Sequence, residues 1–127
     1  MAGRGSAFAD IDGDGDLDAV LTQINGPPLL LRNDQQLGHH WLRLKLVGTK
    51  SNRDAIGAWV RVRASGRIIS QQVMPTKGYL SQSELPLTFG LGTSERVDAA
   101  EITWPGGAVQ KVNQLKVDAL HVITQVP

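Results

Sequence analysis

Short runs rich in Val, Leu, Ile, Thr and Trp recur along this chain about every 8 to 12 residues, each cut off by Gly, Pro, Asn or Ser. Sustained helical periodicity is nearly missing, and the spacing of the breaks is that of a β-sandwich or barrel. Strands are expected over residues 6–9, 19–24, 29–32, 41–46, 58–63, 67–74, 87–89, 99–104, 109–112 and 120–126. In Trp41-Leu42-Arg43-Leu44-Lys45-Leu46 the leucines alternate strictly with Trp and cations, and Ala58-Trp59-Val60-Arg61-Val62-Arg63 repeats that code. Each strand therefore buries one face and wets the other, and the shared pattern predicts that the two are neighbours in one sheet. Between two later runs, Trp104-Pro105-Gly106-Gly107 reads as a hairpin tip, because Pro presets φ and Gly accepts φ > 0.

A length of 127 residues allows one modest core and little more. The polar stretch Asn33-Asp34-Gln35-Gln36-Leu37-Gly38 marks the expected boundary, dividing a short N-terminal unit (1–36) from a main β body (37–127). The expected fold is all-β: an antiparallel sandwich or barrel-like body preceded by one partial unit.

Charge is distributed unevenly. Five of the 12 acidic residues are the aspartates at 10, 12, 14, 16 and 18, which leaves seven against 13 Lys and Arg elsewhere. Asp10-Ile11-Asp12-Gly13-Asp14-Gly15-Asp16-Leu17-Asp18 has the spacing Asp-x-Asp-x-Asp-Gly-x-x-Asp, which wraps oxygen ligands around one hard cation. Calcium accepts six to eight oxygens, and Gly15 supplies the sharp turn that aims the earlier carboxylates inward. Asp10, Asp12 and Asp14 would donate side-chain oxygens, Asp16 its carbonyl, and Asp18 would ligate directly or through water. Magnesium, with its tighter octahedral demand, suits the loop less well. The twelfth loop position is Leu21 rather than Glu and no helices flank the loop, so a β-framed calcium site is expected rather than a helix-loop-helix one.

Phe8 to Val20, with the aspartate pattern at its centre, resembles the FG-GAP (VCBS-type) repeat, the blade unit of integrin-like propellers. The likeness covers roughly residues 5–33 and implies part of one blade. From about His39 onward the chain resembles the ASPIC/UnbV domain. The segments that carry this are His40-Trp41-Leu42, Asn52-Arg53-Asp54-Ala55-Ile56-Gly57-Ala58, Gly78-Tyr79-Leu80-Ser81-Gln82-Ser83-Glu84, Phe89-Gly90-Leu91-Gly92 and Trp104-Pro105-Gly106-Gly107. The resemblance implies a β-rich module, extracellular or periplasmic, with no established catalytic chemistry.

Two ligand surfaces are expected on the body. Tyr79, Ser81, Gln82, Ser83 and Glu84 concentrate hydrogen-bonding groups suited to sugar hydroxyls, though such a loop equally bonds its own backbone. Trp41, Arg43, Lys45, Trp59, Arg61 and Arg63 would share one cationic, aromatic face if their strands pair, a surface for acidic glycans or an acidic protein patch. Nucleic acid is not expected, since the net charge is only +1 and no recognised motif is present. Cysteine is absent, which excludes disulfides and thiol chemistry. No apolar run approaches a membrane span, and no signal-type stretch follows Met1-Ala2-Gly3-Arg4-Gly5. An enzyme is not expected: His39 and His40 are adjacent and diverge on a strand, Glu84 and Glu101 lack an identified carboxylate partner, and Ser81 and Ser83 have no placed base. Hydrolase is the distant alternative. The leading expectation is a calcium-binding adhesion module for a glycan or protein, and its competitor is a structural piece that oligomerises through exposed strand edges.

Overall fold

A computed structural model describes residues 1–127 as an all-β chain. The strands are β1 (Gly3–Ala9), β2 (Asp18–Gln23), β3 (Leu29–Leu31), β4 (His40–Val47), β5 (Trp59–Ala64), β6 (Arg67–Gln72), β7 (Leu87–Gly92), β8 (Ala99–Thr103), β9 (Val109–Val112) and β10 (Ala119–Thr124). Each strand expected from the sequence is present, its ends shifted by a few residues. No helix is long and apolar enough to cross a membrane.

The chain forms two compact units, Met1–Gln36 with Pro75–Glu84, and Leu37–Met74 with Leu85–Pro127. The first holds an antiparallel sheet of order β1-β2-β3. Residues 75–84 belong to this unit and dock on β1 through one side chain and one backbone amide: the Phe8 amide donates to Ser83 Oγ (3.1 Å), and the Glu84 amide donates to the Phe8 carbonyl (3.1 Å). A polar loop pairing with a strand so far back in the chain leaves no periodic trace in the sequence.

The second unit is a sandwich of two sheets, β10-β4-β7 and β6-β5-β8-β9. Leu42, Leu44, Leu46, Phe89 and Leu91 from one sheet meet Val60, Val62, Ala100 and Ile102 from the other in a single core. All pairings are antiparallel except β10 on β4, which is parallel. Residues 113–118 carry the chain from one sheet to the other, so no hairpin dictates the direction in which β10 arrives. The hairpin tip forms as expected, with the Gly107 amide donating to the Trp104 carbonyl (2.9 Å) and Trp104 buried beneath it.

The expected pairing of β4 with β5 does not occur; the two strands lie in different sheets. The alternation identified each strand's buried face but carried no information about its partner. β5 is joined to β6 through Ser65 (φ 49°) and Gly66 (φ 73°), two left-handed residues in succession that set the tight hairpin turn matching strand twist. β8 takes the other edge of β5, and β4 spends both of its edges on β10 and β7. The alternation itself holds on β5, where Trp59, Arg61 and Arg63 are exposed. It breaks on β4 at Arg43, which is only 6% exposed, while Lys45 faces solvent as expected.

The connection from β4 to β5 is ordered by side chains that replace missing backbone partners. Gln125, itself buried, accepts at Oε1 from the amides of Thr49, Lys50 and Ser51, each at 3.0 Å. Asn52 closes the next turn by accepting from the Ile56 amide (2.8 Å) and donating to the Ile56 carbonyl (2.9 Å).

Candidate metal centre

Asp18 is the first residue of β2 and pairs with Ala9, the last of β1, so the β1–β2 hairpin returns the chain beside Asp10. The eight residues between are folded around Asp10. Its Oδ1 accepts from the amides of Gly13 (2.7 Å) and Asp14 (3.1 Å), and its Oδ2 from the amide of Gly15 (3.0 Å). Gly13 and Gly15 adopt φ of 79° and 92°, conformations that a side chain would strain and that turn these amides inward.

Asp18 is almost fully buried, 1% exposed. Its Oδ1 accepts from the Asn33 amide (2.8 Å) and its Oδ2 from the Ile11 amide (3.0 Å). These two hydrogen bonds hold its carboxyl below the usual carboxylate range, so it stays ionised despite burial. Asp12 is shifted the other way: desolvation first, then the nearby charges of Asp14 and Asp18, push its carboxyl up.

One carboxylate oxygen each from Asp10, Asp12 and Asp18 lie within 4.8 Å of one another. Three hard oxygen donors without nitrogen or sulfur suit calcium or magnesium rather than zinc. Asp14 and Asp16 stand outside this group. Asp14 Oδ1 accepts from the Asp16 amide (2.9 Å), and Asp16 Oδ1 accepts from Gln35 Nε2 (3.0 Å). The sequence spacing assigned side-chain oxygens to Asp10, Asp12 and Asp14, with Asp18 direct or through water; the hairpin brings Asp10 and Asp12 together with Asp18.

The other candidate residues scatter. In the loop of the first unit, the Ser81 hydroxyl donates to the Tyr79 carbonyl (2.7 Å) and Ser83 accepts from β1, so both serines serve the backbone. Tyr79 and Gln82 remain exposed and line a shallow recess with Arg4, Ser6 and Thr22. In the second unit, Trp41 and Arg43 lie on β4 and Trp59 and Arg61 on β5, in separate sheets, so the proposed composite face does not exist. The true outward neighbours of Arg61 are Ser70, Glu101 and, one strand further, Lys111. They escaped sequence reasoning because only the strand order brings them together. His40 Nδ1 sits 2.7 Å from Asp118 Oδ2, and His121 Nε2 2.8 Å from the Lys116 carbonyl.

An all-β chain whose sandwich unit comes with an oxygen-lined acidic hairpin defines a β-sandwich module with a candidate cation loop. The chain belongs to the ASPIC and UnbV family, whose model matches residues 48–126. It is 36% identical over 115 residues to cartilage acidic protein 1 of Xenopus tropicalis, an alignment covering 84% of this chain. To the proteins of that name from Homo sapiens and Mus musculus it is 34% and 35% identical, over 87% and 83% of its length. The chain spans about 17% of the length of each of these relatives.

Proposed function

We propose that this chain is a calcium-stabilised, non-catalytic binding module that works outside the cell or in the periplasm, with a glycan or a protein as ligand. The observation that carries the reading is the convergence of Asp10, Asp12 and Asp18 oxygens within 4.8 Å in a unit whose one buried side chain is a carboxylate. Repulsion among these groups opposes closure of the hairpin, and a divalent cation removes it. Asp10, Asp12 and Asp18 would hold the ion, with Asp14 and the Asp16 carbonyl as further oxygens of the same loop. The likeness of residues 5–33 to the FG-GAP repeat supports the same assignment. Relatives named for cartilage support an extracellular setting.

Calorimetric titration of calcium into chelator-treated protein tests this. One-site uptake with Kd on the order of 10⁻⁴ to 10⁻³ M is expected. Absence of uptake, or uptake unchanged in both Asp10→Asn and Asp12→Asn, ends the reading.

A second reading, an assembly module without a small ligand, is favoured by β3. This edge strand exposes Leu29, Leu30 and Leu31 at 38%, 59% and 52%, a template for pairing with another copy. Light scattering across a concentration series decides it: a stable monomer removes the assembly reading.

A further inference from the structure

On the outward face of the β6-β5-β8-β9 sheet, register sets Ser70, Arg61, Glu101 and Lys111 side by side in one row and Ile68, Arg63 and Ala99 in the next. Arg61, Arg63 and Lys111 are exposed, and none is held in an ion pair within the chain. Glu101 is the one carboxylate in these two rows, so three cations share a single compensating charge. Asp98, near the end of Arg63's row, is already paired with Arg96 (3.7 Å). Because Ala99 carries only a methyl group, the surface dips there into a recess of about 180 Å³ walled by Arg61, Arg63, Ile68, Glu101 and Lys111. Trp59 stands one row beyond Arg61 on the same face, 49% exposed.

We infer that this face binds a linear sulfated polysaccharide, an inference that rests on the extracellular binding-module reading and names its ligand and site. A sulfate group offers three acceptor oxygens to a recess approached by cations from two strands, β5 and β9. Arg61 and Arg63 present planar forks for paired contacts, and Lys111 a mobile point charge. Single exposed ion pairs contribute little, so an isolated small anion gains too little to stay; a polymer that repeats its charge engages several cations at once. Outward side chains on β5 recur about every 7 Å, twice the rise per residue, so Trp59, Arg61 and Arg63 form a row of one stacking plate and two cations along an extended chain. A protein partner would need a buried apolar or aromatic anchor at its centre, whereas this recess is shallow and rimmed by charge.

The test titrates the whole chain with a heparin oligosaccharide, its desulfated counterpart, polyglutamate and a single-stranded oligodeoxynucleotide, at low and high salt. Heparin binding is expected, weakening as salt rises. Desulfation and the double variant Arg61→Gln/Lys111→Gln should each weaken it by about tenfold or more, and Trp59→Ala by about threefold. Glu101→Gln should tighten it, a gain that disruption of the fold cannot produce. Heparin affinity unchanged in the double variant overturns the inference, as does polyglutamate or the oligonucleotide binding as tightly as heparin. Calcium calorimetry on the same variants separates the two readings: retained heparin binding with no calcium uptake supports this one and removes only the calcium site, and the reverse removes only this one.

Discussion

Every fully buried apolar side chain of this protein lies in the second unit, whereas the one buried side chain of the first is the carboxylate of Asp18. Charge divides along the same line. The first unit carries seven Asp and Glu against three Lys and Arg, the second five against ten. Hydrophobic burial supplies the second unit with its driving force in any solvent that keeps apolar groups out of water. The first unit has no such core, and small scaffolds without one draw stability from metals or partners instead. The contrast teaches that one chain can fold on two different physical bases, one of apolar burial and one of polar and charged contacts.

The sharpest way to break that contrast is in the core of the second unit. Phe89 is fully buried on β7 among the leucines of β4, and Phe89→Ala should cost about 3–5 kcal/mol. Urea melts, with and without calcium, check it: the loss should be the same in both. Smaller, but in the same unit, is Gln125→Leu, which strands the amides of Thr49, Lys50 and Ser51 without their shared acceptor. A loss of about 2 kcal/mol is expected from those unsatisfied donors. Hydrogen exchange should speed up in residues 49–51 while β4 and β5 stay protected.

In the first unit the ion should matter most. Calcium should raise the melting temperature of the transition that reports on β1 and β2 by a few degrees, and Asp10→Asn should erase the rise. Fluorescence of the tryptophans, all of which lie in the second unit, supplies the control: its transition should move less. Equal shifts by both probes would mean that the units unfold together and that the contrast has no thermodynamic consequence.

What the sequence disclosed follows from what alternation and spacing encode. Period-two patterning located β4 and β5, because it depends only on which side of a strand is buried, and short β-rich runs between Gly, Pro, Asn and Ser marked the remaining strands. It misplaced Arg43 for a related reason: a cation on a strand reads as wet, and only the packed sheet makes it 6% exposed. Partner choice lies in turns and crossovers, so β4 beside β5 was expected and β10 beside β4 was not. At the candidate metal centre the aspartate spacing marked the loop and grouped Asp14 with Asp10 and Asp12, whereas the carboxylate that converges with these two is that of Asp18, since this depends on the hairpin register pairing Ala9 with Asp18. The cationic face was half legible. Arg61 and Trp59 were visible, while Glu101 and Lys111 required the order β5-β8-β9.

Acid acts on both units through carboxyls held below the ordinary range, Asp18 in the first and Asp118 in the second. In the second unit, burial pushes the Asp118 carboxyl up, but its hydrogen bonds with His40 and the Trp41 amide outweigh that and hold it below the ordinary range. The folded carboxyl therefore releases its proton more readily than the unfolded one. Its stabilisation is complete above the unfolded value of about 3.9 and is lost as pH falls through the folded value. Asp118→Asn should flatten that acid limb of a stability profile and leave neutral stability nearly intact, since the side chain is 43% exposed and the pair is screened.

The smallest expected effect concerns a single hydroxyl of the second unit. Thr88 Oγ1, on β7, is buried without a hydrogen-bond partner, while the Thr88 carbonyl accepts from Gln71 Nε2 at 2.7 Å. Thr88→Val keeps the branched shape and the backbone hydrogen bond and removes only the unsatisfied hydroxyl. If burial is what holds the second unit, this change should stabilise it by up to about 1 kcal/mol, seen as a raised urea midpoint at unchanged slope. A loss of similar size would instead reveal that a water satisfies the hydroxyl, and that polar bridging contributes to the second unit as it does to the first.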